Sequence, residues 1–270
     1  MIQQLNRKIK KMKKNAITFF LVMLSLVGLS QKMDTVKIDG SNVNTAHLIP
    51  GTHRYLVYFK LSKNATRTLP QFWTRTIERS TENGKQLLMI TQEWEDNDTI
   101  VHSTKSICDA TTMQTLFHKT WWKGRGAAEA NFSKNELLYN DVVVTAADTA
   151  AYLKRIYNAF QSAQGRYSLN WHLDLEVFPL LPYREGVTFL IPFYDPGITS
   201  PLADVAYTVS GSAVLTGYDQ HPVDCWLLTH ETKGNKEVFW ISKKTREVLK
   251  LEQEFGKESA RYKIKLPFSK

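Results

Sequence analysis

The last third of the chain, residues 204–266, alternates between apolar and polar positions in short runs that turn signals separate. The pattern predicts five strands, at residues 205–215, 223–230, 237–242, 247–255 and 261–266. The last run is the clearest, because three apolar side chains alternate there with three basic ones: Tyr262, Ile264 and Leu266 with Arg261, Lys263 and Lys265. Side chains two residues apart share one face of a strand. We therefore expect an antiparallel sheet with a dry apolar face and a wet face that carries the basic residues.

The first half of the chain contains similar runs, rich in the β-branched and aromatic residues that fit a pleated, half-buried surface. Predicted strands lie at residues 54–60, 72–79, 86–95, 99–107, 113–123, 126–132, 136–144 and, further along, 187–193. Asn83-Gly84 separates the second run from the third. This dipeptide between two apolar runs is a strong signal for a hairpin.

The strand pattern breaks at residue 145, where a helix is predicted to run to residue 163. Thr145 followed by Asp148 is typical of a helix start at which side chains cap the first turn. Tyr152, Ile156 and Phe160 recur every four residues and form one apolar stripe. Such a stripe must be covered, and we expect it to pack on the dry face of the sheet.

Residues 167–182 fit two interpretations. A strand would place His172, Asp174 and Glu176 on one face, whereas a short helix capped by Asn170 would align only His172 with Glu176. We favour the helix, because a Leu-Pro pair followed by glycine ends the segment. In either case we interpret the three polar residues as the solvated side of an amphipathic segment, and we predict no metal site.

These elements predict a mainly β protein. The economical architecture is one large curved antiparallel sheet, an open or half barrel, with a helical insertion near residues 145–180 packed on its concave face. A fully closed barrel and a two-sheet sandwich are the alternatives. The predicted organisation is a signal peptide at residues 1–30, a lead-in segment at residues 31–52 and a single β-rich domain at residues 53–270.

The net charge of +9 comes mainly from the N-terminal segment. Residues 1–30 contain six lysines and arginines and no acidic residue, which leaves nine minus six, or +3, for the remainder. Net charge therefore does not indicate a basic surface for nucleic acid, and we expect no such partner. The hydrophobic fraction of 43% is large enough to fill a core.

The same N-terminal segment has the layout of a secretory signal peptide. Its basic stretch precedes an apolar run, residues 16–29, that is shorter than the roughly 20 residues of a membrane-spanning helix. Gly28 and Ser30 then precede a predicted cleavage before Gln31. We expect export to the periplasm of a Gram-negative-type bacterium, with no transmembrane span after cleavage. An uncleaved anchor is the alternative, and Met12 offers a second start position.

The two cysteines, Cys108 and Cys225, would reach an oxidising compartment in which a disulfide can form. Both lie in strand-like runs, and nothing in the sequence places them within bridging distance. We favour two buried free thiols over a bridge. The chain has no CxxC motif, so neither a redox motif nor a zinc ribbon is indicated.

The seven tryptophans are informative because two of them are adjacent. A strand would point Trp121 to one face of the sheet and Trp122 to the other. An exposed aromatic ring can form part of a greasy groove, and core packing is the alternative interpretation. Trp226 and Trp240 lie in neighbouring predicted strands, and we expect them to form a structural cross-strand pair.

The sequence contains none of the common catalytic motifs. There is no Gly-x-Ser-x-Gly elbow, no His-Glu-x-x-His motif, no phosphate-binding loop and no complete dinucleotide fingerprint. Glu93 with Glu95 and Glu252 with Glu254 are acidic pairs, but we interpret them as solvated strand faces rather than glycosidase carboxylates. We therefore predict a non-catalytic protein without a cofactor or metal.

A resemblance to a known group of proteins rests on two stretches. One is Asp109-Ala-Thr-Thr-Met-Gln-Thr-Leu, and the other joins Val223-Asp-Cys-Trp-Leu, Val238-Phe-Trp-Ile-Ser-Lys-Lys and Glu247-Val-Leu-Lys. With the leader, the strands and the mid-chain helix, they resemble bacterial periplasmic proteins of the lipoprotein-carrier-like superfamily, and within it an uncharacterised family. The resemblance covers residues 54–266. It implies an open, bent sheet whose hollow takes an acyl chain or another hydrophobic group in better understood members.

The function predicted from these features is that of a secreted cell-envelope protein. It would bind a lipid, another hydrophobic ligand or a lipidated envelope protein in the hollow of its sheet. The residues predicted to line the ligand are Tyr152, Ile156, Phe160, Trp121 and Trp122. The alternatives are a structural or interaction module with a self-filled core and, less favoured, a hydrolase of envelope glycans.

Overall fold

The structure is a computed structural model that describes residues 34–62, 64–256 and 258–267. The chain divides into Met1–Asp34 and Thr35–Lys270, and the described strands and helices belong to the second unit. The predicted signal peptide, residues 1–30, lies outside the described residues. In the ranges that are described, no helix is both long and apolar enough to cross a membrane.

Within the described residues, sixteen strands form one sheet. Those of the first half of the chain are β1 (Thr35–Lys37), β2 (Gly51–Lys60), β3 (Thr68–Glu82), β4 (Lys85–Asp96), β5 (Thr99–Asp109), β6 (Thr115–Trp122), β7 (Gly126–Asn131), β8 (Glu136–Tyr139) and β9 (Val142–Val143). Those of the second half are β10 (Leu169–Asn170), β11 (Thr188–Tyr194), β12 (Ala203–Thr216), β13 (Pro222–Thr232), β14 (Asn235–Ser242), β15 (Val248–Phe255) and β16 (Ser259–Leu266).

Two meanders of consecutive antiparallel strands build this sheet. Strands β2 to β9 form the first and β11 to β16 the second, and the pairing of β16 with β2 joins them. The short strands β1 and β10 both pair with β11 in parallel, which the prediction of an antiparallel sheet did not include. The order ends at β1 and β9, and no pairing between them closes the sheet within the described part of the chain. The predicted class, a mainly β protein with one large open sheet, is confirmed.

Several hairpins follow the turn residues of the sequence. Asn83 and Gly84, with φ of 50° and 77°, connect β3 to β4 as the Asn-Gly signal predicts. Asn140 and Asp141 adopt a similar left-handed pair, with φ of 51° and 63°. That turn splits the single strand predicted at residues 136–144 into β8 and β9.

The long helix, α1 (Ala151–Ala163), begins later than predicted. Asp148 Oδ2 accepts a hydrogen bond from the backbone N–H of Thr145 at 2.7 Å, so the predicted pair does form. It closes a turn ahead of the helix instead of capping it, and the N-cap residue Ala150 provides no side-chain cap. The predicted helix start at residue 145 is therefore wrong by about two turns.

The apolar stripe of α1 packs in a hydrophobic cluster of its own. Ile156 and Phe160 are fully buried there, against residues of β7, β8 and β11. Those sheet residues include Ala130, Leu137 and Tyr194. The helix thus covers one region of the sheet, while a different segment occupies the main core.

A short helical segment, residues 171–180, occupies the hollow of the sheet. It consists of the 3-10 turn Trp171–Leu173, α2 (Asp174–Val177) and the 3-10 turn Phe178–Leu180. Asn170 caps it by accepting a hydrogen bond from the backbone N–H of His172 at 2.9 Å, which confirms the favoured interpretation of this stretch. Strands β2–β5 and β11–β15 share one buried cluster with the segment. The sheet must therefore curve around it.

The basic face of β16 points into this hollow. Lys263 and Lys265 are 4% and 7% exposed, whereas Leu266 on the opposite face is 39% exposed. The predicted dry and wet faces of this strand are therefore wrong. Acidic partners explain the inversion, because Lys263 Nζ donates to Asp174 Oδ2 at 2.9 Å and Lys265 pairs with Glu247. A buried charge is tolerated when an opposite charge accompanies it.

The cross-strand tryptophan pair is also elsewhere than predicted. The register of β13 against β14 differs by one residue from the pairing that Trp226 and Trp240 would need, so their rings lie on opposite faces. Trp73 and Trp94 are directly opposite each other on β3 and β4. Their rings stack with centroids 3.6 Å apart.

Candidate functional site

A pocket of about 210 Å³ opens between the sheet and the helical segment 171–180. We call it the tryptophan pocket, because four indole rings line it. Trp122 packs edge-on against Trp94 with centroids 5.2 Å apart, and Trp171 stacks on Phe193 at the same distance. Among the described residues, the lining consists of Trp73, Arg75, Trp94, Trp122, Trp171, His172, Asp174, Asp195, Arg261 and Lys263.

Arg75 on β3 anchors the helical segment to the sheet. Its Nε donates to Glu176 Oε1 at 2.6 Å, and its Nη2 also contacts the Glu176 carboxylate. The remaining donors reach Gln92 Oε1 at 3.0 Å and the carbonyl of His172 at 2.8 Å. Burial opposes the charge of Arg75, but Glu176 more than offsets this, and the pKa of Arg75 is raised. A guanidinium that binds a carboxylate with two hydrogen bonds and makes two more to neighbouring oxygens fixes the segment in position.

The lining also contains a second ion pair, between Asp174 and Lys263, and a further cation, Arg261. Burial opposes the ionised form of Asp174, but Lys263 and Arg75 outweigh it and lower the Asp174 pKa. Burial lowers the pKa of Lys263 to about 8, although Asp174 opposes this shift. Arg261 interacts with the charge of Glu237, and its Nε has no hydrogen-bond partner among the described residues. Arg261 lines the pocket, and its guanidinium can bind an acidic group there.

Three histidine rings lie together beside the pocket. His102 on β5 and His118 on β6 are fully buried, and His172 lies in the first turn of the helical segment. The ring centroid of His172 lies 5.2 Å from that of His102 and 5.0 Å from that of His118. Two strands and the segment thus bring together nitrogen ligands that are far apart in sequence.

Both strand histidines have one ring nitrogen engaged and the other unpartnered. His102 Nδ1 lies 2.8 Å from the carbonyl oxygen of Trp121, and His118 Nδ1 lies 2.8 Å from Ser106 Oγ. Each Nε2 has no hydrogen-bond partner in the described part of the chain. Burial, with His172 nearby, lowers the pKa of His102 to about 3 and that of His118 well below its usual value. Both rings are therefore neutral near pH 7.

Asp195, directly after β11, faces His172. Its Oδ1 lies 2.7 Å from His172 Nδ1, yet neither atom makes a hydrogen bond of normal geometry within the described residues. His118, His172 and Asp195 each place one potential ligand atom within 4.8 Å of the other two. We call these three residues the His–His–Asp cluster. Imidazole and carboxylate together form a donor set that divalent transition metals accept.

The turn that carries Asp195 is held by close packing. Gly197 has φ of +90°, and a Cβ atom there would lie 2.5 Å from the Cβ of Ala128. The Tyr152 hydroxyl on α1 donates to the carbonyl of Gly197 at 2.9 Å. The position of Asp195 therefore depends on contacts with β7 and with α1.

A family model described as a protein of unknown function, DUF3108, matches residues 54–265, which is most of the chain. The chain belongs to the DUF3108 family. No curated protein matches this DUF3108 sequence. Among solved structures, it is similar to a β-barrel-like protein of a second domain of unknown function, DUF1849, from Brucella abortus. The two are 6% identical, the match covers 82% of this chain and 98% of that chain, and the TM-score is 0.34.

The residues predicted to line a ligand in this DUF3108 protein do not meet at one site. Trp122 lines the tryptophan pocket, whereas Trp121 lies on the other face and is 38% exposed. Ile156 and Phe160 are buried under α1, and Tyr152 supports the turn after β11. The adjacent tryptophans thus point to opposite faces as predicted. A role of the five residues in ligand binding stays a prediction.

The polar residues of the helical segment lie inside the protein, whereas the sequence predicted that they face solvent. Asp174 and Glu176 are 7% and 3% exposed, so the prediction of a solvated side is wrong. The reason is again the presence of partners, since Lys263 and Arg75 neutralise the two carboxylates. A sequence pattern shows that polar residues share one side of a helix or strand. It does not show which oppositely charged residues of the fold will contact that side.

His102 and His118 were missed altogether. The sequence did contain a signal, because polar residues occupy alternate positions of both strands. On β5, His102 is followed by Thr104 and Ser106, and Ser106 lies opposite His118 on β6. All four side chains are buried. Two neighbouring strands with polar alternate positions are typical of a polar interior surface as well as of a wet one.

Proposed function

We propose that this DUF3108 protein is a non-catalytic, exported binding protein of the bacterial envelope. It acts in the periplasm and holds a hydrophobic ligand, a lipid or the acyl group of a lipidated partner protein in the tryptophan pocket. The observation that carries the proposal is the convergence of four indole rings and Arg261 on one pocket. Indole faces bind apolar groups, and a guanidinium binds carboxylate or phosphate. The preferred ligand therefore combines an apolar group with a negative charge.

The volume of the pocket limits what enters it. About 210 Å³ is less than the roughly 300–1,000 Å³ of pockets that bury a drug-sized molecule. The rest of the hollow is filled by the protein itself, because Leu173, Val177 and Phe178 are fully buried there. The pocket thus takes one ring or one end of a chain, and the remainder of the ligand lies outside it.

Export and the lack of catalysis are proposed from the sequence. Residues 1–30 have the basic and apolar layout of a signal peptide. The chain has none of the nucleophile, metalloprotease or nucleotide-binding motifs considered above. The resemblance to lipoprotein-carrier-like proteins favours an acyl ligand over other apolar ligands.

A fluorescent probe with both ligand features tests the pocket. Anilinonaphthalene sulfonate is aromatic and anionic, and we expect saturable binding of one equivalent that a long-chain fatty acid displaces. Trp94→Ala should weaken binding on the order of tenfold, the equivalent of about 1.4 kcal/mol. Trp240→Ala is the matched control, because Trp240 bonds to Glu252 and does not line the pocket.

The charge requirement has its own variants. Arg261→Gln should weaken binding of the anionic probe, and Arg54→Gln, at an exposed position of β2, should not. Unchanged affinity in both Trp94→Ala and Arg261→Gln would reject the pocket as the binding site.

Export is tested separately, by sequencing the N-terminus of the protein isolated from the periplasm. We expect the sequence to start at Gln31, and an intact leader would contradict the proposal.

The second candidate is an interaction module whose core is filled by its own side chains. It is favoured by the burial of the helical segment, in which residues 173–180 are all less than one-tenth exposed. This candidate predicts that neither the probe nor a fatty acid binds saturably. It also predicts that neither one raises the unfolding temperature, whereas a ligand of the folded state would.

A further inference from the structure

We propose that the His–His–Asp cluster is a binding site for a divalent transition metal, and that zinc is the metal best matched to it. The ligand atoms are His118 Nε2, His172 Nδ1 and Asp195 Oδ1. Two imidazoles and one carboxylate are a common ligand set for zinc with three protein ligands. The inference does not rest on the proposed function, because a metal can bind whether or not the tryptophan pocket holds an organic ligand.

The orientation of His118 supports a ligand role. A metal-binding histidine donates its second ring N–H to a neighbouring acceptor, which fixes the tautomer and the ring plane. His118 Nδ1 lies 2.8 Å from Ser106 Oγ, and both residues are fully buried. In the tautomer that donates to Ser106, the lone pair of His118 lies on Nε2. That nitrogen has no hydrogen-bond partner among the residues described.

An unpartnered ring nitrogen in a buried site requires an explanation, because buried polar atoms are almost always satisfied. A bond from His118 Nε2 to a metal ion would provide the missing partner and leave the contact between His118 Nδ1 and Ser106 intact. An ion pair between His172 and Asp195 alone would not, since it leaves His118 Nε2 unpartnered. A metal therefore accounts for all three side chains together.

The distances permit one ion to reach the three atoms. Zinc binds nitrogen and oxygen at about 2.0–2.2 Å, so tetrahedral ligand atoms lie roughly 3.3 Å from one another. One candidate ligand atom from each of the three residues already lies within 4.8 Å of the other two, and small side-chain rotations close the difference. His172 Nδ1 and Asp195 Oδ1 are 2.7 Å apart without hydrogen-bond angles, which is consistent with two groups that are directed at a third.

The electrostatic surroundings do not oppose a cation. Three cations line the same pocket, and each has an acidic partner: Lys263 pairs with Asp174 and Arg75 with Glu176, while Arg261 interacts with the charge of Glu237. The cluster itself adds the carboxylate of Asp195. Three protein ligands leave a fourth position open. His172 and Asp195 also line the tryptophan pocket, so that position is reached from the pocket.

Metal titration of the mature protein tests the proposal. After treatment with a chelator, calorimetric titration with zinc chloride near neutral pH should show one equivalent bound. Titration with cobalt(II) should give the visible absorption of a low-symmetry four-coordinate site. His118→Ala and Asp195→Asn should each lower the zinc affinity at least about tenfold. His221→Ala is the control, because that histidine side chain is 76% exposed on the surface.

A milder variant distinguishes a folding defect from the loss of a metal-binding side chain. Ser106→Ala leaves every ligand atom in place and removes only the acceptor of His118 Nδ1, so it should weaken zinc binding roughly 10–100-fold with an unchanged circular dichroism spectrum. The proposal is overturned if the wild-type chain binds no zinc. It is equally overturned if Asp195→Asn and Ser106→Ala bind zinc as tightly as the wild type. Zinc binding without binding of the fluorescent probe rejects the proposed function alone, and the reverse result rejects the metal site alone.

Discussion

Arg75 on β3 donates two hydrogen bonds to the carboxylate of Glu176 on α2, inside the hollow of the sheet. The two side chains are 1% and 4% exposed. Glu176→Ala should lower the free energy of unfolding by about 3–5 kcal/mol, because it leaves a buried guanidinium without its counter-charge. Urea denaturation followed by circular dichroism measures the change.

An exposed ion pair provides the comparison for this prediction. Lys119 and Glu129 on β6 and β7 are 3.2 Å apart, with side chains 47% and 27% exposed. Glu129→Ala should change the free energy of unfolding by at most about 1 kcal/mol. Replacing Arg75 and Glu176 together by methionine and leucine should recover most of the lost stability. A loss below 1 kcal/mol in Glu176→Ala would show that the pair does not anchor the segment.

The cluster under α1 should matter for stability and not for ligand binding. Phe160→Ala is expected to lower the free energy of unfolding by about 3–5 kcal/mol, and Ile156→Val by about 0.5–1.5 kcal/mol. Both side chains are fully buried away from the tryptophan pocket. The affinity for the fluorescent probe should stay unchanged in Ile156→Val. A selective loss of probe affinity in that variant would instead place the ligand under α1, as the sequence predicts.

Acid should destabilise the fold through His102. The pKa of this residue is 6.5 in the unfolded chain and about 3 in the folded protein. Well above pH 6.5 neither state is charged, so His102 adds no pH dependence there. As the pH falls below 6.5, the unfolded state alone gains the proton, and stability is lost until about pH 3. Between about pH 7 and pH 5 the loss amounts to about 2 kcal/mol.

The measurement for this prediction compares wild type with His102→Gln. Urea denaturation at the two pH values should show a fall in the free energy of unfolding that is about 2 kcal/mol larger in the wild type. His118 remains in both proteins and its pKa is lowered mainly by burial, so most of its contribution cancels in the difference. Equal falls in the two proteins would mean that the folded protein can protonate His102.

Gly197→Ala should disturb the turn that carries Asp195. The new Cβ would lie 2.5 Å from the Cβ of Ala128, and φ of +90° is strained for alanine. We expect a loss of about 1–3 kcal/mol in unfolding free energy and weaker zinc binding. Gly234→Ala is the control, because Gly234 has φ of +81° but no atom within 4 Å of the added Cβ. Zinc affinity should change in the first variant only.

The two cysteine thiols should resist modification in the folded protein. Cys108 and Cys225 are free and buried, which agrees with the favoured interpretation of the sequence. Burial raises their pKa to about 12 and about 11, so little reactive thiolate exists near pH 7. A thiol reagent should label two groups per chain in denaturant and almost none before. Protein that yields no thiol in denaturant without a reductant would contain a disulfide instead.

The alternation of residues predicted the strands well, but it could not show which face of a strand lies inside. Tyr262 and Lys263 point to opposite faces whichever face of the strand is buried. The partner of Lys263 decides which of the two side chains lies inside. That partner, Asp174, lies in a distant helical segment. Hydrophobicity alone favours the wrong face here, because it does not include ion pairs between remote parts of the chain.

The candidate site was even harder to predict from the sequence, because its residues meet only through contacts between distant parts of the chain. His118 lies on β6, His172 in the helical segment and Asp195 after β11, with no fixed spacing that a motif could describe. Their proximity follows from the curvature of the sheet around the segment. Trp122 was predicted at a ligand site because its local signal, a pair of adjacent tryptophans, is independent of the fold.

The pairing of β2 with β16 has a consequence for biogenesis. These strands come from opposite ends of the domain, and Lys60 lies opposite Ala260 in their ladder. The two meanders therefore become one sheet only after the last strand has been made, and such non-local pairing forms slowly. A chain that leaves the ribosome in order would keep its two halves unjoined until its C-terminus is free. That delay would suit a polypeptide that must cross a membrane unfolded before it folds on the other side.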